Sequence, residues 1–203
     1  RKTLHVAEGK GSETVKDFAD YLTEHNGKAE QMTSVSCDMS PAFIKGVSDT
    51  LPNAEITFDK FHILKIINEA VDDVRRIEAK TNPLLKKTRY IFLKNDANLT
   101  DKQRAKKEEL KLAELNLQSM EALRMRETFQ QIYHADTEET FTKLLQEWLD
   151  WVLNCALDPM RKAAQTVEKH LSGIHNWMRS KINNGILEGL NSIVQAAKRK
   201  ARG

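Results

Sequence analysis

The sequence predicts an α/β protein with predominant helix, in which a small domain of about three short strands is interrupted by a long, mostly helical insertion. Three observations carry that prediction. Short β-prone runs alternate with helical ones over residues 1–62; residues 60–158 contain one proline, Pro83, and no glycine; and a last helical pattern runs over residues 182–200. A strand-and-helix unit followed by about a hundred helical residues and then one more helix reads as an insertion within an α/β domain.

The elements follow in chain order. Residues 2–7 alternate as a strand. Residues 12–26 place Val15, Phe18, Ala19 and Leu22 on one helical face, and residues 31–37 read as a second strand. Ser40-Pro41 supplies a cap and a first-turn proline for a helix reaching about Thr50. Leu51-Pro52-Asn53 makes a turn, and residues 54–58 a third short strand. Beyond Lys60, Ile63, Ile66, Ile67, Ala70, Val71 and Val74 recur at helical spacing, with breaks expected at residues 81–83, 95–100, 135–137 and 158–159. Residues 171–180 look irregular. The resulting domains are 1–62, an insertion over 63–180, and a returning helix over 181–203.

Composition narrows the function. The chain of 203 residues holds 32 Lys and Arg against 29 Asp and Glu, for a net charge of +3 and a pI near 8.8. That balance permits a nucleic-acid partner without demanding one. Cys37 and Cys155 have no C-x-x-C spacing, so they read as small buried hydrophobes in a reducing compartment rather than as a disulfide or zinc framework. No apolar run approaches the roughly 20 residues of a membrane span, and the first residues lack a signal-peptide core. The expectation is a soluble, cytoplasmic protein.

Four stretches carry the candidate chemistry: V-S-C-D-M-S at 35–40, L-P-N-A-E-I-T-F-D-K-F-H at 51–62, N-D-A-N-L-T at 95–100 and N-N-G-I-L-E-G-L-N at 183–191. Asp38 ends a β-prone run just before a helix start. It can be a capping residue, or it can stand at the C-terminal end of a strand, where α/β sheets place their ligand sites. Glu188 shares a helical face with Asn184, Asn191 and Gln195, beside an apolar stripe of Leu187, Leu190, Val194 and Ala197. Gly185 and Gly189 flank it and permit close approach of a backbone or of DNA.

Together these stretches closely resemble the DDE transposases of bacterial insertion sequences, in the ISL-three-like group, whose members carry D-M-S or D-M-W, P-x-A-x-I-x-x-D-x-F-H, K-N-x-x-N-L-T and N-x-x-E-G-x-N motifs. The resemblance runs from about Glu8-Gly9 to Arg202-Gly203. It implies a ribonuclease H-like fold, here truncated, and a bacterial, cytoplasmic enzyme that cleaves and joins DNA at transposon ends. Such chemistry uses two divalent ions, Mg²⁺ or Mn²⁺, and hard cations take carboxylate oxygens. Asp38 matches the second acidic position of the family and Glu188 the third, making both the expected catalytic residues and metal ligands. No residue matches the first: Asp17 and Asp20 lie on the predicted first helix. The expectation is therefore a catalytic-domain fragment, inactive alone, with the first strands and any N-terminal zinc or helix-turn-helix region outside it. Transposon-end and target DNA are the implied partners, with a homodimer or higher oligomer as the active complex.

Other residues have weaker claims. Asp59-Lys60-Phe61-His62 resembles the C/D-x-x-H element of Mutator-like and hAT transposases, so Asp59 and His62 are auxiliary candidates, as are Asn184 and Asn191; a satisfied structural histidine is the competing reading of His62. Lys198, Arg199, Lys200 and Arg202 follow Glu188 with no acidic residue after it, which suits phosphate contacts or else a solvated end. Trp177 is a candidate for stacking on an extruded base, whereas Trp148 and Trp151, three apart on a helix, read as packing residues. Should the C-terminal basic group make no contact, Arg75, Arg76, Lys86, Lys87 and Arg89 are the next candidates for DNA. Two other classes stay open: a ribonuclease H-like nuclease or resolvase, and a non-catalytic helical module for DNA binding or dimerisation.

Overall fold

In the computed structural model, residues 4–112 and 117–181 are described. In chain order they form α1 (Glu13–Glu24), β1 (Ser34–Cys37), α2 (Pro41–Thr50), β2 (Glu55–Phe58), α3 (Lys60–Glu78), α4 (Arg89–Leu93), α5 (Asp101–Leu112), α6 (Gln118–Ile132), α7 (Glu138–Leu153), α8 (Asp158–Lys169) and α9 (Leu171–Ser180). They divide into two compact units, one running to His62 and resuming at His170, the other Ile63–Lys169.

The first unit is built on β1 and β2, which pair in parallel with register Ser34↔Glu55 through Cys37↔Phe58. Parallel neighbours need a crossover, and α2 supplies it. Pro41 stands in its first turn, and Ser40 precedes it in an extended conformation. α1 packs on α2 closely enough that a Cβ at Gly46 would lie 2.9 Å from the Ser12 carbonyl and from Val15 Cγ2. Ala19, Val47 and Leu51 form the buried centre, joined by half-buried Val15, Met32, Val35 and Ile56.

Two expectations about this unit are corrected. Residues 4–7 form no strand, because alternation alone does not hold a strand without a ladder partner. Instead His5 stacks against Tyr21 of α1 with ring centroids 4.8 Å apart. Two paired strands, not three, make up the sheet among the described residues. Residues 171–180, expected to be irregular and part of the insertion, form α9, which packs on β2. Gly173, Ile174, Trp177 and Met178 are buried, at spacings that share one helical face. A segment containing Gly, His, Asn and Ser has little intrinsic helicity, so tertiary packing supplies what propensity lacks. Gly173 is required there: a Cβ would meet the Phe58 ring at 2.4 Å. Asn176 Nδ2 donates to the Ile56 carbonyl at 2.9 Å, and the Thr57 and Ser180 hydroxyls lie 3.1 Å apart.

The second unit is entirely helical among the described residues. Phe92, Phe129, Phe141 and Trp148 are fully buried, and Trp148 Nε1 donates to the Met125 carbonyl at 2.7 Å, as its reading as a packing residue requires. Trp151, one turn on, is 39% exposed. The breaks have local causes. Asn82 accepts from Leu84 N–H at 3.1 Å, Thr137 caps α7 by accepting from Thr140 N–H at 3.1 Å, and Glu78 caps α6 by accepting from the backbone N–H of Gln118 and Ser119 at 2.9 and 2.8 Å.

The K-N-D-A-N-L-T stretch at 94–100 wraps a buried arginine. Arg126 is 2% exposed, and its guanidinium donates to Asn68 Oδ1 (2.9 Å), Asn95 Oδ1 (2.7 Å) and the carbonyls of Leu93 (3.3 Å) and Lys94 (3.4 Å). Burial pulls its pKa below the ordinary arginine value, against the opposing fields of Glu127 and Asp96. The carbonyls closing α4 are satisfied this way, so this stretch is part of the scaffold.

Candidate functional site

Asp38 and Asp59 are each the first residue beyond a strand, at the C-terminal ends of β1 and β2. The ladder continues one step past the paired residues, with Asp59 N–H donating to the Cys37 carbonyl at 3.2 Å. Two carboxyl groups therefore occupy neighbouring positions at one edge of a parallel pair, the edge where α/β sheets bind ligands. Each also closes a local turn. Asp38 Oδ1 accepts from Ser40 N–H at 2.9 Å, and Asp59 Oδ1 accepts from Phe61 N–H at 3.0 Å. The N-cap of α2 is Ser40, which makes no side-chain capping bond, so Asp38 closes a turn ahead of the helix rather than capping it, and that turn occupies one of its two oxygens.

Their surroundings differ. Asp38 is half-buried, whereas Asp59 is 0% exposed. Cys37, half-buried rather than fully buried, has its thiol pushed up to about 11 by burial and, secondarily, by the neighbouring Asp38 carboxylate. Asp38 and Asp59 supply carboxylate oxygens at this edge, the donors that hard divalent cations take. His62, on the first turn of α3, donates its backbone N–H to the Asp59 carbonyl at 3.1 Å. Its Nδ1 is buried with no hydrogen-bond partner among the described residues. Ser36 Oγ, two residues before Asp38 on β1, is in the same position. Buried polar atoms of this kind are exceptions in native proteins and call for a reason.

Trp177 on α9 is 8% exposed. The Lys60 ammonium lies 5.4 Å and the Lys181 ammonium 4.4 Å from its ring centroid. Phe61, 48% exposed, has the Lys60 ammonium 5.6 Å from its own ring. These lysines escaped the sequence reading. The available signal was Lys60 directly after Asp59, but Lys181 is brought to it only by the docking of α9. Glu188, Asn184, Asn191, Lys198, Arg199, Lys200 and Arg202 lie outside the described residues. Within them, no three His, Cys, Asp or Glu side chains are grouped to hold a metal ion. No described helix is long and apolar enough to cross a membrane.

Fold and site together define an α/β protein with an acidic strand-end site and a large helical unit. The chain belongs to the DDE transposase family of the ISL3 type: the family model described as Transposase matches residues 1–203. Among curated proteins it is similar to the transposase for insertion sequence element IS1001 of Bordetella parapertussis, 26% identical over 211 residues, covering 100% of this chain and 51% of the relative. It is also similar to the transposase for insertion sequence element IS1557 of Mycobacterium tuberculosis, 25% identical over 231 residues, again 100% of this chain and 51% of the relative. The chain thus spans about half the length of the curated relatives it matches. No solved structure matches it significantly.

Proposed function

We propose that these residues form part of the catalytic domain of a DNA transposase that cleaves and joins DNA at the ends of an insertion sequence, acting as a dimer or higher oligomer. The observation that carries this reading is Asp38 at the C-terminal end of β1, beside Asp59 at the end of the parallel strand β2, in a chain of this family. The domain is read as ribonuclease H-like. Residues 1–62 and 181–203 would belong to it, and α9 (Leu171–Ser180) joins the sheet unit by its packing on β2.

Donor chemistry supports Mg²⁺ or Mn²⁺ at this edge, since Asp38 keeps a carboxylate oxygen beyond its turn and hard cations take oxygen donors. Asp38 and Glu188 would hold the ions together with a third carboxylate that no residue of this chain matches. The bound metal would activate the attacking hydroxyl and stabilise the leaving oxygen. This chain's residues supply the rest. Asp59, through its turn onto Phe61 and its carbonyl bond to His62, fixes the first turn of α3. His62, whose buried Nδ1 has no hydrogen-bond partner among the described residues, would orient a ligand or a phosphate oxygen. Asn184 and Asn191 would flank Glu188, and Lys198, Arg199, Lys200 and Arg202 would hold neighbouring phosphates. Trp177 could stack on a base only by leaving its buried position under Lys60 and Lys181.

The test uses the full-length protein and duplex DNA carrying an end of its element. Asp38→Asn and Glu188→Gln should each lower Mg²⁺-dependent cleavage and joining on the order of a thousandfold, the equivalent of roughly 4 kcal/mol of transition-state stabilisation. DNA binding and thermal stability should be kept. Undiminished cleavage by Asp38→Asn would refute the assignment, and cleavage without joining by the wild-type protein would identify a nuclease or resolvase instead.

A further inference from the structure

Residues 80–94 of the helical unit carry Lys80, Lys86, Lys87, Arg89 and Lys94 and not one acidic residue. The inward side of this segment is firmly held. Leu85, Thr88, Ile91 and Phe92 are buried. Thr88 Oγ1 donates to the Leu85 carbonyl at 2.6 Å, and buried Arg75 reaches that carbonyl at 3.5 Å while paired with Asp72 at 2.7 Å. Arg75 is thereby a structural cation, whereas Arg76 is exposed and has its charge offset by Asp73.

The outward side is different. Lys80, Lys86 and Lys87 are exposed and make no ion pair with any described residue. Arg89 is 3.4 Å from Asp72, a carboxylate it shares with Arg75, so one negative charge faces two positive ones. Lys87 has φ 63°, a left-handed conformation that a lysine adopts at a cost and that the anchored loop imposes. Tyr90 is 59% exposed, with the Lys94 ammonium 5.9 Å from its ring. An ordinary solvated helix face looks unlike this. On α2, exposed Lys45 pairs with Asp49, on α5 Lys106 pairs with Glu109, and on α7 exposed Lys143 pairs with Glu147.

We infer that the surface of residues 80–94 is a second DNA-contacting site of this protein, one that takes the phosphate backbone of a duplex. Uncompensated lysines on a rigid loop are point charges, complementary to a polyanion and carrying no base-reading geometry. The inference rests on the transposase reading and extends it to the helical unit, for which the carboxylate motifs make no provision.

The test is a salt titration with the full-length protein, by fluorescence anisotropy, on a duplex from the end of its own element and on an unrelated duplex of equal length. Replacing Lys80, Lys86 and Lys87 together with Gln should make the slope of log K against log salt shallower by up to about 2.7. The loss should be equal on both duplexes. Lys86→Glu with Lys87→Glu should weaken binding further, and thermal melting should be unchanged because these side chains are exposed. A wild-type slope in the triple variant would overturn this surface and leave the transposase reading standing. Failure of the wild-type protein to bind either duplex would overturn both.

Discussion

The two units solve the same problem with different means. The helical unit buries Phe92, Phe129, Phe141, Trp148 and several large aliphatic side chains completely, and satisfies its polar interior with buried guanidiniums: Arg126 makes four hydrogen bonds and Arg75 pairs with Asp72. The sheet unit centres on Ala19, Val47 and Leu51, and most of the apolar side chains around them are only half-buried. Two strands of four residues each cannot bury enough surface to order themselves. Close backbone approaches and side-chain-to-backbone bonds supplement them: Gly46 against Ser12, Gly173 against Phe58, and Asn176 onto Ile56. The candidate chemistry thus lies on the unit held by a few specific contacts, and the bulk of the packing lies in the other.

That contrast breaks most severely at Arg126. Arg126→Ala should cost about 3 kcal/mol or more, because two carbonyls and the Asn68 side chain lose this donor inside the helical unit and Asn95 is left with Gln130 as its donor. Denaturant unfolding would show it as a lower midpoint. A loss below about 1 kcal/mol would mean that the K-N-D-A-N-L-T stretch is not a scaffold element.

The sheet unit should fail by overpacking rather than by loss of a polar clamp. Gly173→Ala places a methyl group 2.4 Å from the Phe58 ring, and should destabilise by about 1–3 kcal/mol as α9 shifts away from β2. Amide hydrogen exchange should then rise in β2 and α9 while α6 and α7 stay protected. Equal loss of protection in both units would show that they unfold as one, which would erase the distinction drawn between them.

The smallest expected effect concerns Cys37. With its thiol pushed up to about 11, it should alkylate slowly at pH 8 and speed up only as pH approaches that value, since the thiolate is the nucleophile. The sign for stability follows: a folded-state pKa above the unfolded one near 8.5 contributes stability that is complete below about pH 8.5 and is lost as pH rises towards 11. An Asp38→Asn protein should react slightly faster at pH 9, because the secondary, electrostatic cause of the shift is removed. Rapid labelling at pH 8 in the native protein would show that the strand edge is more open than the half-buried thiol implies.

Much of this was legible before any coordinates. Ser40-Pro41 marked the start of α2, and the breaks expected at residues 81–83 and 135–137 fall between α3 and α4 and between α6 and α7, because capping and proline restriction act within a few residues and are written locally. The strand ending at Cys37-Asp38 and the helical character beyond Lys60 were equally plain from periodicity. The order of four short motifs identified the family. Residues 4–7 misled because their alternation satisfies a strand's side-chain pattern while saying nothing about a partner for its backbone.

What the tertiary structure decided was every relation between distant segments. The parallel register that sets Asp59 beside Asp38 depends on α2 returning the chain to the same side. α9 exists because Gly173 lets a weakly helical segment lie against Phe58, and that docking is also what brings Lys181 to Trp177 beside Lys60. Arg126 reads in sequence as one more surface charge among many, and becomes the centre of the helical unit only when residues 31 and 58 positions away fold onto it. Local propensity reaches a few residues along a chain, whereas burial and hydrogen-bond satisfaction are settled by whatever surfaces meet.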